Sequence, residues 1–323
     1  MVFYDNRQIR RAVFRVTLAV GGFFAVLVLT TVVTSIASYS PLSAAPHAIQ
    51  VQKPANKKQI ALTFDDGPDP VYTRAIMKLL KKEEVPAAFF VIGEHVFENK
   101  DVLREVHENG FEIGNHTFTH THAVHASPRR LRWELQATRR LTEDVIGHMP
   151  RLYRPPFLLD IERSSVPVTE KGKKIERIAA EYGFITVGAG VDSRDWDGAS
   201  AEEIIKRVLS DLPSPDGNVI LFHDSGGNVK NTIAALKVLI PHLKREGYTF
   251  VPLSAMIGLT RDDVLPPSRS TLFSALALSG SIRSVSFLVS ASSWIVRTML
   301  IIGTLRLLFV VILWFVSLQR RTP

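Results

Sequence analysis

Five short segments rich in acidic residues and histidine lie along the middle of this chain, each at the end of a short apolar run. Helical patterns separate the apolar runs, and strands that alternate with helices form parallel α/β sheets. Because parallel strands end at the same edge of their sheet, we expect the five segments to meet there. In chain order they are Thr63-Phe64-Asp65-Asp66-Gly67, His116-Thr117-Phe118-Thr119-His120, Arg154-Pro155-Pro156-Phe157, Asp192-Ser193-Arg194-Asp195-Trp196 and Leu221-Phe222-His223-Asp224.

The apolar runs are short and rich in β-branched and aromatic residues, which favours strands. This pattern predicts an α/β fold, a (β/α) barrel with its site at the carboxyl ends of the strands. The strands are predicted over residues 59–64, 87–92, 111–115, 152–154, 184–187, 219–223 and 248–251. Helices are predicted between them, for example over residues 72–84, 128–146, 201–209 and 229–245.

Both ends of the chain carry apolar segments. Near the N-terminus, four arginines precede an uncharged run over residues 16–38, and roughly 20 such residues can cross a bilayer as a helix. A cleaved signal peptide is the alternative, with Ser43-Ala44-Ala45 as small residues for cleavage, but its apolar core is normally about 7–15 residues long. We therefore expect an uncleaved anchor with its basic flank in the cytoplasm.

The second apolar region, residues 285–318, is interrupted by Arg297 and Arg306 and followed by Arg320 and Arg321. Burying one arginine at the centre of a membrane helix costs about 2.5–3.5 kcal/mol on insertion scales, which the surrounding apolar residues could offset. A spanning helix is predicted here, and an interfacial helix is the alternative. Two spanning helices would place the middle of the chain outside the cell membrane.

The apolar segments at both ends predict a catalytic domain that lies between two membrane segments. The net charge of +8 comes from the flanks, because residues 57–262 carry 28 basic and 29 acidic residues. A nearly neutral domain offers no basic surface for phosphates, so nucleic-acid binding is excluded. The chain has no cysteine, so it uses neither disulfides nor thiolate chemistry. The predicted parts are 1–40, a basic tail and transmembrane anchor; 41–56, a linker; 57–262, the catalytic domain; 263–284, a linker; and 285–323, a membrane segment with a basic tail.

The first two segments contain candidate metal ligands. Neighbouring carboxylates on a strand point to opposite sides, so one of Asp65 and Asp66 could bind a metal while the other acts as a base. An Asp-Asp-Gly-Pro turn is the alternative. His116 and His120 are spaced to bring two imidazoles to one metal on a helical turn or a tight loop, with His122 and His125 as competing ligands or part of a surface histidine cluster.

One carboxylate and two imidazoles leave coordination positions open, as in catalytic sites. The same ligands serve Fe(II) oxygenases. The remaining segments favour hydrolysis of an amide or ester, since Asp65 could be the base and His223 the acid, held protonated by Asp195 or Asp192. Three further residues complete the predicted site. Arg154 could orient Asp65 through a bidentate pair or form a structural salt bridge. Trp196 and Phe157 could form the floor of a sugar-binding groove or belong to the core.

The five segments, in this order, resemble the polysaccharide deacetylase family with the NodB homology domain, carbohydrate esterase family 4. The resemblance covers roughly residues 57–262 and implies a distorted (β/α) barrel that binds zinc or a similar divalent ion. It implies that Asp65 is the base and that Asp66, His116 and His120 are the metal ligands. It further implies that Arg154 positions Asp65, that the Phe157 N–H stabilises the oxyanion, that Asp195 tunes the acid His223, and that Leu221 and Trp196 line the acetyl pocket.

Two features depart from the family pattern. Many members have tyrosine and glycine where this chain has Phe157-Leu158, a change that keeps the backbone donor and removes a phenolic hydroxyl. Residues 158–174 are polar and are predicted to form a lid. The chain also resembles membrane proteins in which such a domain is followed by a glycosyltransferase, which is therefore an expected partner.

The expected function is removal of N-acetyl groups from a cell-wall or extracellular polysaccharide, such as peptidoglycan or a chitin-like glycan. Three alternatives remain on the sequence alone. The same site could hydrolyse O-acetyl esters or small amides, the domain could be a non-catalytic glycan-binding partner of a glycosyltransferase, or the ligand set could serve an oxygenase.

Overall fold

The computed structural model describes residues 58–157, 170–212 and 218–268, together with Trp294, Ile301 and Thr304. The chain divides into two compact units, residues 41–269 and residues 1–40 with 270–323, and the elements below belong to the first. The predicted membrane segments at 16–38 and 285–318 lie outside the described residues, apart from Trp294, Ile301 and Thr304. No helix within the described part of the chain is long and apolar enough to cross a bilayer.

Eight parallel strands form one sheet in the order β5-β4-β3-β2-β1-β7-β6, and β8 pairs with the start of β1. The strands are β1 (Gln59–Asp65), β2 (Ala87–Val91), β3 (Glu112–Asn115), β4 (Leu152–Tyr153), β5 (Ile185–Thr186), β6 (Val191–Asp192), β7 (Val219–His223) and β8 (Thr249–Phe250). The helices are α1 (Tyr72–Lys82), α2 (Gly93–Glu98), α3 (Lys100–Glu108), α4 (Pro128–Ile146), α5 (Glu170–Ala180), α6 (Ala201–Asp211), α7 (Val229–Arg245), α8 (Leu253–Met256) and α9 (Arg261–Val264), with a 3-10 turn at Asp195–Asp197.

The sheet is curled into a half-barrel. β5 and β6 follow each other in the chain but lie at opposite ends of the strand order. The chain from Thr186 to Val191 reaches at most about 18 Å, whereas seven flat strands at about 4.8 Å spacing would hold their outer members roughly 29 Å apart. The two edges must therefore bend towards each other. Within the described residues no ladder joins β5 to β6, so the predicted distorted (β/α) barrel is observed as an open half-barrel.

The two faces of β1 are both buried, because parallel strands are covered on each side. Ile60, Leu62 and Phe64 face the layer of helices, where Phe64 stacks between the rings of Phe89 and Phe222 at centroid distances of 5.1 and 5.8 Å. The alternate residues face the inside of the curl, and they change from apolar to polar along the strand. They are Ala61, Thr63 and Asp65, all buried.

Residues 253–268, the C-terminal segment of the domain, cover the end of the curled sheet that lies opposite the five acidic and histidine-rich segments. Leu253 and Val264 are fully buried in the inner apolar cluster, which also holds Ala61 of β1 and Val219 of β7. The backbone N–H of Arg151 donates to Val264 O at 2.9 Å, and that of Ser268 donates to Gly147 O at 2.8 Å. The predicted domain boundary at residue 262 falls inside this segment, whereas the compact unit extends to residue 269.

The seven predicted strands are observed with small shifts, and seven further elements were not predicted. Helix α1 ends at Lys82 rather than at residue 84, because Glu84 has a left-handed φ of 52°. Part of the predicted lid is a helix: α5 begins at Glu170, and its buried residues recur at helical spacing. Residues 158–169 of that lid lie outside the described residues. The unpredicted elements are β6, α2, α3, α5, α8, α9 and the 3-10 turn at Asp195–Asp197.

Candidate active site

The five segments do meet at the carboxyl ends of β1, β3, β4, β6 and β7. They surround a pocket of about 490 Å³, within the usual size range of small-molecule sites. The pocket is lined by Asp65, Asp66, His116, His120, Phe157, Asp192, Trp196, Leu221 and His223. The structure thus brings residues of all five segments to one pocket.

Asp66, His116 and His120 form the group that could hold a metal ion, with one ligand atom from each within 4.8 Å of the others. Asp66 Oδ1 lies 3.4 Å from His116 Nε2 and 3.3 Å from His120 Nε2. The expectation that Asp65 and Asp66 point to opposite sides is wrong. β1 ends at Asp65, and Asp66 turns away with a left-handed φ of 78°, so both carboxylates line the same pocket.

The protonation pattern of this group suits a divalent ion. His116 Nδ1 lies 2.8 Å from Arg154 O, so this nitrogen donates its hydrogen and Nε2 keeps a lone pair directed at the pocket. Asp66 Oδ1 is buried and has no hydrogen-bond partner among the described residues. A buried carboxylate oxygen without a donor is costly, and a cation would satisfy it. The residues therefore fit a divalent metal.

The two candidate ligand histidines lie on a tight loop rather than on a helical turn. Thr117 and His120 have left-handed φ angles of 68° and 53°, which a helix does not contain. The competing histidines have another role: the His122 ring stacks on Phe157 at 4.8 Å and contacts the His125 ring at 4.4 Å. Neither belongs to the metal-binding group found among the described residues.

Arg154 is fully buried inside the curl and holds Asp65. Its Nη1 donates to Asp65 Oδ1 and to Thr63 Oγ1, both at 2.8 Å, and its guanidinium lies 4.2 Å from the ring centroid of Phe90. The predicted bidentate pair is wrong, because Nη2 donates instead to Gly188 O at 3.0 Å. Asp65 Oδ2 is thus left on the pocket side, 3.7 Å from His116 Nε2.

His223 pairs with Asp195 and not with Asp192. His223 Nδ1 lies 2.7 Å from Asp195 Oδ1, while Asp195 Oδ2 accepts from the His223 backbone N–H and from the Thr232 hydroxyl. Asp192 Oδ1 accepts instead from the Arg194 backbone N–H at 2.9 Å.

The pKa of His223 reflects opposing effects. Burial disfavours the charged ring, but the hydrogen bond to Asp195 and the negative charges of Asp195, Asp65 and Asp66 outweigh burial and raise the pKa to about 9. His223 is therefore protonated at neutral pH in the metal-free protein.

The predicted substrate-contacting residues all line the pocket. Trp196 and Phe157 are 54% and 58% exposed, so they form its walls rather than part of the core, and Leu221 is buried beneath them. Phe157 has a left-handed φ of 65°, and its ring also contacts His120 at a centroid distance of 4.8 Å.

Sequence reasoning missed the roles of Asp224 and Thr232. The Asp224 carboxylate is fully buried, accepts from the Thr73 hydroxyl, and lies so close to Gly67 that an added Cβ there would come within 2.2 Å of its Oδ2. Burial, together with the charges of Asp66 and Asp65, raises the pKa of Asp224 to about 7. Its position directly after His223 is the signal that could have revealed it. Thr232 lies on α7, in no recognisable motif.

Comparison with known proteins agrees with this geometry. Residues 52–172 match the family model described as polysaccharide deacetylase. A peptidoglycan-N-acetylglucosamine deacetylase of Bacillus cereus is 35% identical over 208 residues, covering 63% of this chain and 90% of that protein. The crystal structure of the Bc1960 peptidoglycan N-acetylglucosamine deacetylase gives a TM-score of 0.58 at 33% identity, covering 66% of this chain and 94% of that one. A family 4 acetyl xylan esterase from Clostridium thermocellum, solved with a cobalt ion, gives a TM-score of 0.53 at 30% identity, covering 64% and 95%.

A curled parallel sheet with an Asp-His-His group beside a carboxylate and a protonated histidine defines a hydrolase of the metal-dependent class. The chain belongs to the polysaccharide deacetylase family, carbohydrate esterase family 4, and is a polysaccharide deacetylase. The resemblance predicted from the five segments is thereby confirmed.

Proposed function

We propose that this deacetylase removes N-acetyl groups from N-acetylglucosamine units of a cell-wall glycan, with Asp65 as the base and His223 as the acid. The observation that carries this assignment is the register of the sheet, in which Asp65 of β1 and His223 of β7 are direct Cα partners. Their side chains line the same pocket as the metal-binding group, so a bound acetamide would have a base and an acid on either side.

Asp65 is suited to accept the proton of the attacking water. Arg154 occupies one carboxylate oxygen, Oδ1, and leaves Oδ2 towards the pocket. The hydrogen bond from Arg154 to Oδ1 fixes the direction of the Asp65 carboxylate. When bound by Asp66, His116 and His120, the divalent ion, which we propose to be zinc, would acidify the water and polarise the acetyl carbonyl.

His223 is suited to protonate the departing amine. Asp195 holds its Nδ1 and stabilises the imidazolium, so Nε2 can donate a proton within the pocket. The backbone N–H of Phe157 would donate to the developing oxyanion, and the left-handed backbone of that residue directs the segment at the pocket. Trp196 and Leu221 would contact the acetyl methyl group and the sugar.

The proposed N-acetylglucosamine substrate is supported by the names of the relatives. The Bacillus cereus protein is named for peptidoglycan N-acetylglucosamine, and the exposed rings of Trp196 and Phe157 suit a sugar face. A second candidate, an O-acetyl ester, is favoured by the likeness to the acetyl xylan esterase. The same acid and base serve both reactions, so substrate choice depends on the groove.

The predicted domain organisation remains part of the proposal. We infer that residues 1–40 and 285–323 anchor the chain in the cell membrane and that the deacetylase domain lies outside the cytoplasm, where cell-wall glycan is found. A glycosyltransferase that makes an N-acetylhexosamine polymer is the proposed protein partner.

Acetate release by the purified full-length chain tests the proposal, with N-acetylglucosamine oligomers, peptidoglycan and acetylated xylan as substrates. We expect acetate from the first two substrates, its loss with a chelator, and its return with zinc. Acetate from xylan alone would replace the amide substrate by the ester.

Two neighbouring isosteric changes provide matched controls. Asp65→Asn removes the base and should retain bound metal while turnover falls by about 100-fold or more, since a positioned base contributes about 10²–10⁴-fold. Asp66→Asn removes a ligand and should lose both metal and turnover. Bound metal is measured by elemental analysis. Turnover retained by Asp65→Asn would refute the assigned base.

A further inference from the structure

Glu134 of α4 is a buried charged residue that the proposed reaction does not use. Its side chain is completely buried, although an unpaired carboxylate is rarely tolerated in a protein interior. It lies beneath the loop of residues 116–121, which carries the candidate ligands His116 and His120. The question is therefore what this carboxylate does for the loop.

Four donors of the loop converge on Glu134. Its Oε2 accepts from the backbone N–H groups of Phe118 and Thr119 at 2.7 and 2.8 Å. Its Oε1 accepts from the hydroxyls of Thr119 and Thr121 at 2.8 and 2.7 Å. A fifth bond, from Arg130 Nε at 2.6 Å, compensates its charge.

These bonds hold a loop that would not keep its shape unaided. Thr117 and His120 both have left-handed φ angles, which are unfavourable for residues other than glycine and persist only where surrounding contacts fix them. The hydrogen bonds of Glu134 to Phe118 and Thr119 lie between these two positions, and its bond to Thr121 lies directly after the second. His116 is held separately, through its Nδ1, by Arg154 O. His120 has no such hydrogen bond among the described residues, so beyond the contact of its ring with Phe157 its position depends on the loop.

We infer that Glu134 is a positioning residue for the metal site, acting through the loop of residues 116–121 to hold His120 beside Asp66. The inference rests on the proposed function, because it takes the Asp66, His116 and His120 group to be the metal site. Glutamine cannot replace Glu134, since its amide nitrogen would face donors that need an acceptor. This position requires a side chain with two oxygen atoms that both accept hydrogen bonds.

The test compares metal binding by two variants of the full-length chain. Glu134→Gln is measured against Glu143→Gln, which removes another buried carboxylate from α4. Glu143 pairs with Arg139 and Ser268, outside the loop, so it reports the effect of a buried substitution on this helix. Metal-free protein is titrated with Zn²⁺ to obtain Kd, and with Co²⁺ to record the absorption spectrum of the site.

We expect the Kd for Zn²⁺ to rise by about 10-fold or more in Glu134→Gln, because loss of groups that orient metal ligands weakens binding by about this factor. We also expect the Co²⁺ spectrum to change. Glu143→Gln should keep both properties of the wild type. A folded Glu134→Gln with wild-type Kd and spectrum would overturn the inference, as would equal weakening in both variants.

Failure of the proposed function would look different, since the wild type itself would then bind no Zn²⁺ at these residues. If Glu134→Gln does not fold, Thr121→Val removes one donor and leaves the carboxylate in place. A smaller rise in Kd is then expected, and no rise would overturn the inference.

Discussion

At the scale of single residues, the pair of His223 and Asp195 shows how neighbours set a charge. The hydrogen bond and three carboxylates outweigh burial and raise the pKa of His223 to about 9. We expect an NMR titration of the metal-free protein to give this value for His223. In Asp195→Asn the same pKa should fall by at least one unit, because the strongest partner of the imidazolium loses its charge. Asp192→Asn, which does not contact the ring, is the control.

The raised pKa also predicts a pH dependence of stability. Because the folded-state pKa lies above the ordinary value of 6.5, the His223–Asp195 pair stabilises the folded protein fully below about pH 6.5. That contribution is lost as the pH rises through about 9. Denaturant unfolding of the metal-free wild type and of His223→Gln should therefore converge towards high pH, and a gap that widens instead would contradict the assigned shift.

Residue identities were predictable from the sequence, but their pairings were only partly so. The five segments name Asp66, His116, His120 and His223 directly, because few residue types bind metals or transfer protons. The choice of Asp195 over Asp192 depends on the 3-10 turn that follows β6, and the turn at Asp66 depends on its left-handed φ. Neither conformation has a periodic pattern that a sequence could reveal.

At the scale of elements, three neighbouring strands support Arg154 in succession. Gly114 of β3 leaves room for the Phe90 ring of β2, because an added Cβ would lie 2.4 Å from that ring. The ring in turn lies beneath the guanidinium of Arg154, which follows β4. Gly114 thus determines, through the Phe90 ring, the position of the Arg154 side chain that orients the candidate base.

Gly114→Ala should therefore lower both stability and turnover. Overpacking of this kind costs about 1–3 kcal/mol, and the displaced ring would shift Arg154 away from Asp65. Phe90→Leu in the Gly114→Ala background should recover part of the loss, since the smaller side chain makes room for the methyl group. Denaturant unfolding and acetate release measure the two effects. Strictly additive effects of the two changes would argue against this contact.

Element prediction succeeded where a periodic pattern exists. Strands β1, β2 and β7 are apolar over several residues, and α4 and α7 are long enough to show a buried stripe. β6 has two residues and no pattern of its own; it forms because β7 offers it a partner. The start of α5 is polar over Glu170 to Lys174, and this composition suggested a loop.

At the scale of the whole molecule, the alternation of strands and helices predicted the fold class. It did not predict where the domain ends on its C-terminal side. Pro266, Pro267 and Ser268 resemble the start of a linker, yet the preceding Val264 and Leu265 are fully buried and the backbone pairs with residues 147–151. The contacts are made with a distant part of the chain, so local composition could not predict them.

A comparison of two fragments tests this boundary. A fragment of residues 46–262 lacks two buried apolar side chains that residues 46–269 retain, and complete burial of such side chains is worth about 1.5–3 kcal/mol each. We expect the shorter fragment to unfold at a Tm lower by at least about 4 °C, measured by circular dichroism. Equal Tm values would show that the segment is dispensable.

The central place of β1 has a consequence for the time at which the protein can finish folding. β1 is made first among the strands, yet its partners include β7 and β8, and Ala61 pairs with Val219. At about 5–20 residues per second, ribosomes separate these partners by on the order of 10 s. Throughout that interval an apolar strand has an unpaired edge, which other chains can extend. The newly made protein therefore cannot complete its sheet until its last strands have been made.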